Sequence, residues 1–220
     1  MTELFSPLVE RAIETAAEWH AGTFRKGRWT DPCAPPPEGG HAPVPAMAHL
    51  TAVAMVVQRA GWDDATVAAA FLHDALEDPD RWGRYLDRDV LAAHIGEHVT
   101  RIVEAVSEPK LEGDTMLPWR TRKETYLARL GDGPPEAAAV SLADKLHNAY
   151  AMASSLEAGI DIFTPAPGRR ALSAGPDAQL WFFDAVLETT RRHADPRLAP
   201  MRGRLEQEVG RLAALAASRG

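Results

Sequence analysis

Apolar residues recur at helical spacing along almost the whole of this 220-residue chain, and no segment shows the alternation that a half-buried strand requires. Phe5, Leu8, Val9, Ala12, Ile13, Ala16 and Ala17 open the pattern and mark an amphipathic helix running to about His20. A second helix carries His49 and stops at Gly61. A third, capped by Asp63 or Asp64, runs to Asp78, because Pro79 pushes the residue before it out of helical geometry. Further helices are expected over residues 89–93, 96–107, 119–130, 135–156, 177–193 and 196–217. The fold class that follows is all-α: one compact helical bundle around a single core, spanning residues 1–220.

One stretch interrupts the pattern. Residues 30–45 hold six prolines and the adjacent Gly39 and Gly40, a composition that predicts an irregular inserted loop. Cys33, the single cysteine, falls there and reads as an incidental loop thiol. The chain shows neither an internal repeat nor a domain-sized linker. It has no charged leader before a short apolar core and no run long enough to cross a bilayer, so a soluble, cytoplasmic protein without a membrane partner is expected. A formal charge of -7 excludes broad binding to nucleic acid polymers, which needs a basic face. Local clusters of cations still leave room for a small anionic substrate: Arg25, Lys26 and Arg28; Arg120, Arg122 and Lys123; Arg169 and Arg170.

The chemistry concentrates where polar residues sit in apolar helices. In Ala-Ala-Val-Ser-Leu-Ala-Asp-Lys-Leu-His-Asn, Asp144 and Asn148 lie four apart on one helix face. An unpaired charge there costs on the order of several kcal/mol, so Asp144 needs a partner. Candidates stand far away in sequence: His49, and the His73-Asp74 pair within Ala-Ala-Phe-Leu-His-Asp-Ala-Leu-Glu-Asp. Two imidazoles and two carboxylates suit one divalent ion that also activates water, with manganese, iron and zinc all chemically suited. Glu77 lies one helical turn beyond His73 and Asp78 one turn beyond Asp74, which aims two acid–base groups at the same centre. Acid–base groups beside an activated water make a hydrolase.

The order Arg25-Lys26-Gly27, His49, His73-Asp74-x-x-Glu77-Asp78 and Leu142-Ala-Asp-Lys-Leu-His-Asn148 resembles the hydrolase domain of the RelA/SpoT group, within the HD metallophosphohydrolase superfamily. The resemblance covers about residues 8–156, leaving about 157–220 as a C-terminal helical extension, and is similar in scale to the free-standing small alarmone hydrolases. It implies that His49, His73, Asp74 and Asp144 hold one manganese ion, and that Glu77 and Asp78 position or activate the attacking water. It further implies that Arg25 and Lys26 flank a nucleotide base and that Asn148 touches substrate. The implied reaction, that of the stringent-response alarmones, releases pyrophosphate from the 3′ position of guanosine tetra- or pentaphosphate. Arg122 and Lys123 would offset the phosphate charge.

Departures from the family pattern lie on the base and sugar side. Relatives usually have Gly-x-Pro-Tyr shortly before the histidine and proline after it. This chain has Pro45-Ala46-Met47-Ala48-His49-Leu50, with Ala46 in place of the tyrosine, and Tyr150 at a usual arginine position. Two alternatives therefore stand: an HD-type nucleotide phosphatase or phosphodiesterase acting on another phosphoester, or a non-catalytic nucleotide sensor.

Other residues invite competing readings. His94-Ile-Gly-Glu-His98 spells a zinc-protease motif, but Gly96 breaks the single helical face that motif needs. His147 reads as a packed histidine or a support for the metal site, His20 as structural or as a site-lining donor, and His41 and His193 as surface residues. Trp181-Phe182-Phe183 reads as core. The last helix, with Leu205, Val209, Leu212 and Leu215 on one face, either packs internally or forms the seam of a homodimer.

Overall fold

The computed structural model describes residues 4–30, 42–112, 115–165 and 171–218. Cys33, His41, Arg169 and Arg170 lie outside that set, as does most of the Pro-rich stretch.

The described residues form an all-α bundle with two short β ribbons. In chain order these are α1 (Pro7–Trp19), β1 (Phe24–Thr30), β2 (Ala42–Pro45), α2 (Ala46–Arg59), α3 (Asp64–Leu72), α4 (Arg88–Ile95) and α5 (Glu97–Val106). There follow β3 (Leu111–Glu112), β4 (Thr115–Met116), α6 (Trp119–Asp132), α7 (Pro135–Glu157), α8 (Pro176–Thr190) and α9 (Leu198–Ala217). Local chemistry starts the helices, and at α3 it does so where the sequence predicts. Ser6 caps α1 by accepting from the Val9 N–H, with Pro7 at the first helical position, and Asp63 caps α3 through the Thr66 N–H at 3.0 Å.

Two helices organise the core. In α3 every residue from Thr66 to Leu72 is buried, and its run of alanines lets α1, α2, α5 and α7 approach closely. α7 is the long central helix, flanked by α2, α3, α5, α6, α8 and α9. One continuous apolar cluster runs from Ala12 in α1 to Leu212 in α9. α7 carries Asp144, and His73 and Asp74 follow directly from the end of α3, so three of the four metal candidates are set by these two helices.

The structure corrects three expectations. α3 ends at Leu72 rather than Asp78: residues 73–78 continue as tight turns, with Ala75 N–H bonding Leu72 O at 2.9 Å and Asp78 N–H bonding Asp74 O at 2.9 Å. Pro79 cannot continue a helix, and the last turn before it has tightened. Strands also exist where none was read, and the Pro-rich stretch is not wholly irregular, since its end, Ala42–Pro45, pairs antiparallel with β1. The Ala46 N–H reaches Thr23 O, so the even-numbered amides of β2 face β1 while Pro43 and Pro45, which have no N–H, face away. Finally, His193 is half-buried rather than on the surface, with Nε2 3.2 Å from Leu130 O.

Other readings agree with the coordinates. Gly96, at φ 98°, separates α4 from α5 and leaves His94 and His98 exposed on different helices. Phe182 and Phe183 are buried in the core, and Arg120 stacks on the Trp181 ring. The last helix turns Leu205, Val209 and Leu212 inward against α7 and α8, and Arg211 fastens it to Glu157. Internal packing uses those residues, so they are not a dimer seam.

Leu212→Ala should therefore lower stability by about 2–5 kcal/mol in urea unfolding, the usual cost of a cavity in a packed core. The loss should be the same at low and high protein concentration. A loss that shrinks as concentration rises would instead place Leu212 at a subunit contact.

Candidate metal centre and active site

His49 sits in the first turn of α2, His73 caps the C-terminus of α3, Asp74 follows it, and Asp144 lies mid-way along α7. The fold brings all four together. His73 Nε2 lies 3.2 Å from Asp74 Oδ1 and 3.8 Å from Asp144 Oδ1. His49 Nε2 lies 3.1 Å from Asp144 Oδ1 and 3.9 Å from Asp74 Oδ2. Among the described residues, His49, His73 and Asp74 each offer a ligand atom within 4.8 Å of the others, close enough to share one ion.

The donor chemistry fits a cation. His73 Nδ1 contacts Ala70 O at 2.7 Å, which makes Nδ1 the protonated nitrogen and leaves a lone pair on Nε2. That Nε2 is buried without a hydrogen-bond partner and faces carboxylate oxygens, an arrangement that repels unless a positive charge lies between. The titration tendencies say the same. Burial opposes a charged His73, yet Asp74 and Asp144 outweigh it and raise its pKa, the proton acting as a stand-in for the ion. Burial likewise opposes ionisation of both aspartates. His73 and His49 hold Asp74 below its ordinary value, and Lys145 and His49 hold Asp144 well below its own. His49 is pushed down to about 4 by burial and by Arg25, so it is neutral and ready to ligate. Behind it, His147 Nδ1 lies 2.8 Å from His49 Nδ1 and fixes the ring, in agreement with the supporting role read from sequence.

Glu77 and Asp78 line the same cavity, a space of about 300 Å³. Lys110 pairs with both, with Nζ 3.2 Å from Glu77 Oε1. Burial and the neighbouring charge of Asp74 push Glu77 up to about 7, so near neutral pH it can take or give a proton. The indole of Trp19 donates to Asp78 O at 2.9 Å, tying the end of α1 to this turn. His20 is buried beside it, where burial lowers its pKa against the pull of Asp74 and Asp78. It does not line the cavity among the described residues, so the structural reading of His20 is the better one.

The substrate candidates divide. Arg25 lies in an irregular stretch of β1 and bonds Asn148 Oδ1, while Asn148 Nδ2 donates to Asp144 Oδ1 at 2.5 Å. Lys26 lies in β1 with its side chain outside the described set. Lys123 lines the cavity and Arg122 does not, but both bond the carboxylate of Glu108. A larger cavity of about 820 Å³ opens across Glu77, Glu108 and Lys110 toward α5 and α6. It contains none of the four metal candidates, so the chemistry belongs to the smaller one.

Sequence reasoning missed Lys110, Glu108 and Lys145. Lys145 follows Asp144 and so projects about 100° away on an ideal helix, which suggests solvent. α7 is covered there too: Lys145 is buried, bonds Asp144 Oδ2 and lies over the rings of Tyr126 and Phe182.

A helical scaffold that gathers two imidazoles and a carboxylate within reach of one ion, with Asp144 beside them, defines the all-α class of candidate metal-centre proteins. The chain belongs to the HD domain family, whose model matches residues 32–164. It is 30% identical over 145 residues, 66% of its length, to the GTP pyrophosphokinase of Streptomyces coelicolor, of which it spans 14%. It is 35% identical over 135 residues, 60% of its length, to the human guanosine-3′,5′-bis(diphosphate) 3′-pyrophosphohydrolase MESH1, of which it spans 65%. The chain thus covers less than two thirds of either relative. A solved structure of a metazoan ortholog of SpoT, described as hydrolysing ppGpp, superposes with a TM-score of 0.61 at 20% identity over 100% of this chain and 99% of that one, a likeness of fold. The RelA/SpoT-type resemblance read from the residues is supported.

Glu77 gives a pH signature in the metal-free protein. Its folded pKa of about 7 lies above its ordinary 4.5, so between those values the folded state binds more protons than the unfolded state. Its contribution is fully present below the lower value and lost as pH rises through the upper one. Relative to Glu77→Gln, the wild type should lose up to about 3 kcal/mol in urea unfolding across that window. A pH-independent difference between the two proteins would mean that Glu77 is charged throughout.

Proposed function

We propose that the chain is a divalent-metal phosphohydrolase that removes the 3′-pyrophosphate of guanosine tetra- and pentaphosphate. The observation that carries this reading is the convergence of His49, His73, Asp74 and Asp144 beside a carboxyl group, Glu77, that titrates near neutrality. The relatives support the choice of substrate, since MESH1 bears that activity in its name.

In this reading His49, His73, Asp74 and Asp144 hold one divalent ion, manganese by the family resemblance, with iron or zinc also compatible with the donor set. When bound, the ion supplies the Lewis acidity that makes a water nucleophilic at neutral pH. Glu77 accepts the proton of the attacking water, and Lys110, shared between Glu77 and Asp78, holds both carboxylates in place. Lys123 and Arg122 offset the phosphate charge. Arg25, anchored on Asn148 and with Lys26 next to it, faces the nucleotide. Water adds to phosphorus, the bond to the ribose 3′-oxygen breaks, pyrophosphate leaves, and the 3′-oxyanion takes a proton to become the hydroxyl. No helix among the described residues is long and apolar enough to cross a membrane, and a cytoplasmic site of action suits a nucleotide substrate. A homodimer would have to use a surface other than the buried face of α9.

A second reading keeps the centre and changes the phosphoester. Ala46 lines the cavity where family members usually place a tyrosine, which removes an aromatic wall from the base side. A non-catalytic sensor is disfavoured, because the acid–base pair Glu77 and Asp78 is intact and lines the same cavity as the candidate ligands.

Manganese-loaded protein should release pyrophosphate from the guanosine tetraphosphate, and His73→Ala or Asp144→Ala should abolish release while circular dichroism stays native. Glu77→Gln should lower kcat roughly 10²- to 10⁴-fold, the range of a lost general base. An inert wild type against the alarmone, with monophosphate released from other nucleotides in a panel, would transfer the assignment to the second reading.

A further inference from the structure

Glu108 joins the acid–base side of the site to its cations, and nothing so far gives it a role. It is 6% exposed and lies in the irregular stretch that follows α5, just before Pro109. Its backbone N–H donates to Glu77 Oε2 at 3.1 Å. Its carboxylate divides between two cations of α6, with Oε1 accepting from Arg122 Nη1 and Oε2 from Lys123 Nζ. Of the other cations that line the cavity, Arg25 bonds the neutral Asn148 while the two lysines hold carboxylates: Lys145 pairs with Asp144, and Lys110 with Glu77 and Asp78. Those carboxylates are candidate ligands and acid–base groups, and freeing their cations would dismantle the site. Releasing Arg122 and Lys123 from Glu108 leaves the candidate ligands and acid–base groups in place.

A carboxylate that presents two oxygens to a guanidinium and an ammonium resembles one edge of a phosphate, with less charge and fewer acceptors. We propose that Glu108 is the specificity-determining counter-ion of the phosphate subsite: its carboxylate holds Arg122 and Lys123 until an incoming anion outcompetes it. This rests on the phosphohydrolase reading of the same site. Weakly charged groups lose the competition, and a pyrophosphoryl group wins it through its greater charge and its additional oxygens. The desolvated setting sharpens the contrast, since Lys123 is held below its ordinary pKa by burial and by the charge of Lys145, and binds most firmly to the partner carrying the most charge.

Glu108→Gln tests this, because it removes the charge and keeps both the side-chain shape and the backbone N–H to Glu77. Binding of inorganic phosphate and of inorganic pyrophosphate to the metal-loaded full chain is measured by calorimetry with the divalent ion in excess. Chelation of the ion by either anion is the same for every variant and cancels in the comparison. In Glu108→Gln, phosphate should bind roughly tenfold tighter and pyrophosphate should gain less, so that the ratio of the two Kd values narrows. Lys123→Met should weaken pyrophosphate by roughly tenfold. An unchanged ratio in folded Glu108→Gln overturns the proposal, and so does weaker binding of both anions, which would make Glu108 a scaffold for the cations. Should Glu108→Gln fail to fold, Glu108→Asp, which withdraws the carboxylate by one methylene, must still narrow the ratio, and a wild-type ratio there overturns the proposal equally. Neither probe needs to be turned over. A narrowed ratio in a protein inert toward the alarmone would therefore refute the substrate and leave Glu108 standing.

Discussion

The structure depends on a repulsion that has to be cancelled. Two imidazoles and two carboxylates face one another at 3.1–3.9 Å, with His49, His73 and Asp144 buried. Left alone, such a cluster would push α2, α3 and α7 apart. A positive charge at its centre turns the same geometry into a clamp across three helices, and protons on His73 do part of this work, as its raised pKa records. Metal affinity and fold stability are thus linked through the same atoms.

Around that cluster the cations are arranged in matched pairs: Lys145 with Asp144, Lys110 with Glu77 and Asp78, Lys123 and Arg122 with Glu108. In the proposed function this matching lets a chain of net charge -7 present cations to an anion inside the cavity. Lys110, Lys123 and Lys145 are each partnered at short range by a carboxylate. Glu77 keeps an elevated pKa beside a lysine because burial and the charge of Asp74 together exceed the help that Lys110 gives.

How much of this was legible in the sequence follows from where each residue stands. His49, His73, Asp74 and Asp144 stood out because they interrupt apolar helices, where an unpaired polar group is costly. The start of α3 was legible from Asp63, whose cap acts within three residues. The end of α3 was not, because a helix tightening into turns keeps the same apolar spacing for several more residues. Lys145 was hidden by the assumption that this face of α7 meets solvent, when it is buried over the rings of Tyr126 and Phe182. Glu108 and Lys110 occupy an irregular Ser-Glu-Pro-Lys stretch with no periodicity to read, and tertiary packing alone gives them meaning. β2 escaped notice because prolines count against a strand unless both turn their missing donors away from the partner.

That last detail has a consequence for the molecule among its neighbours. With Pro43 and Pro45 on the outer side of β2, the free edge of the ribbon lacks two of the amide donors that a further strand would need. The ribbon that carries Arg25 is therefore a poor template for strand addition from a second molecule, and crowding will not readily draw it into sheet-like aggregates.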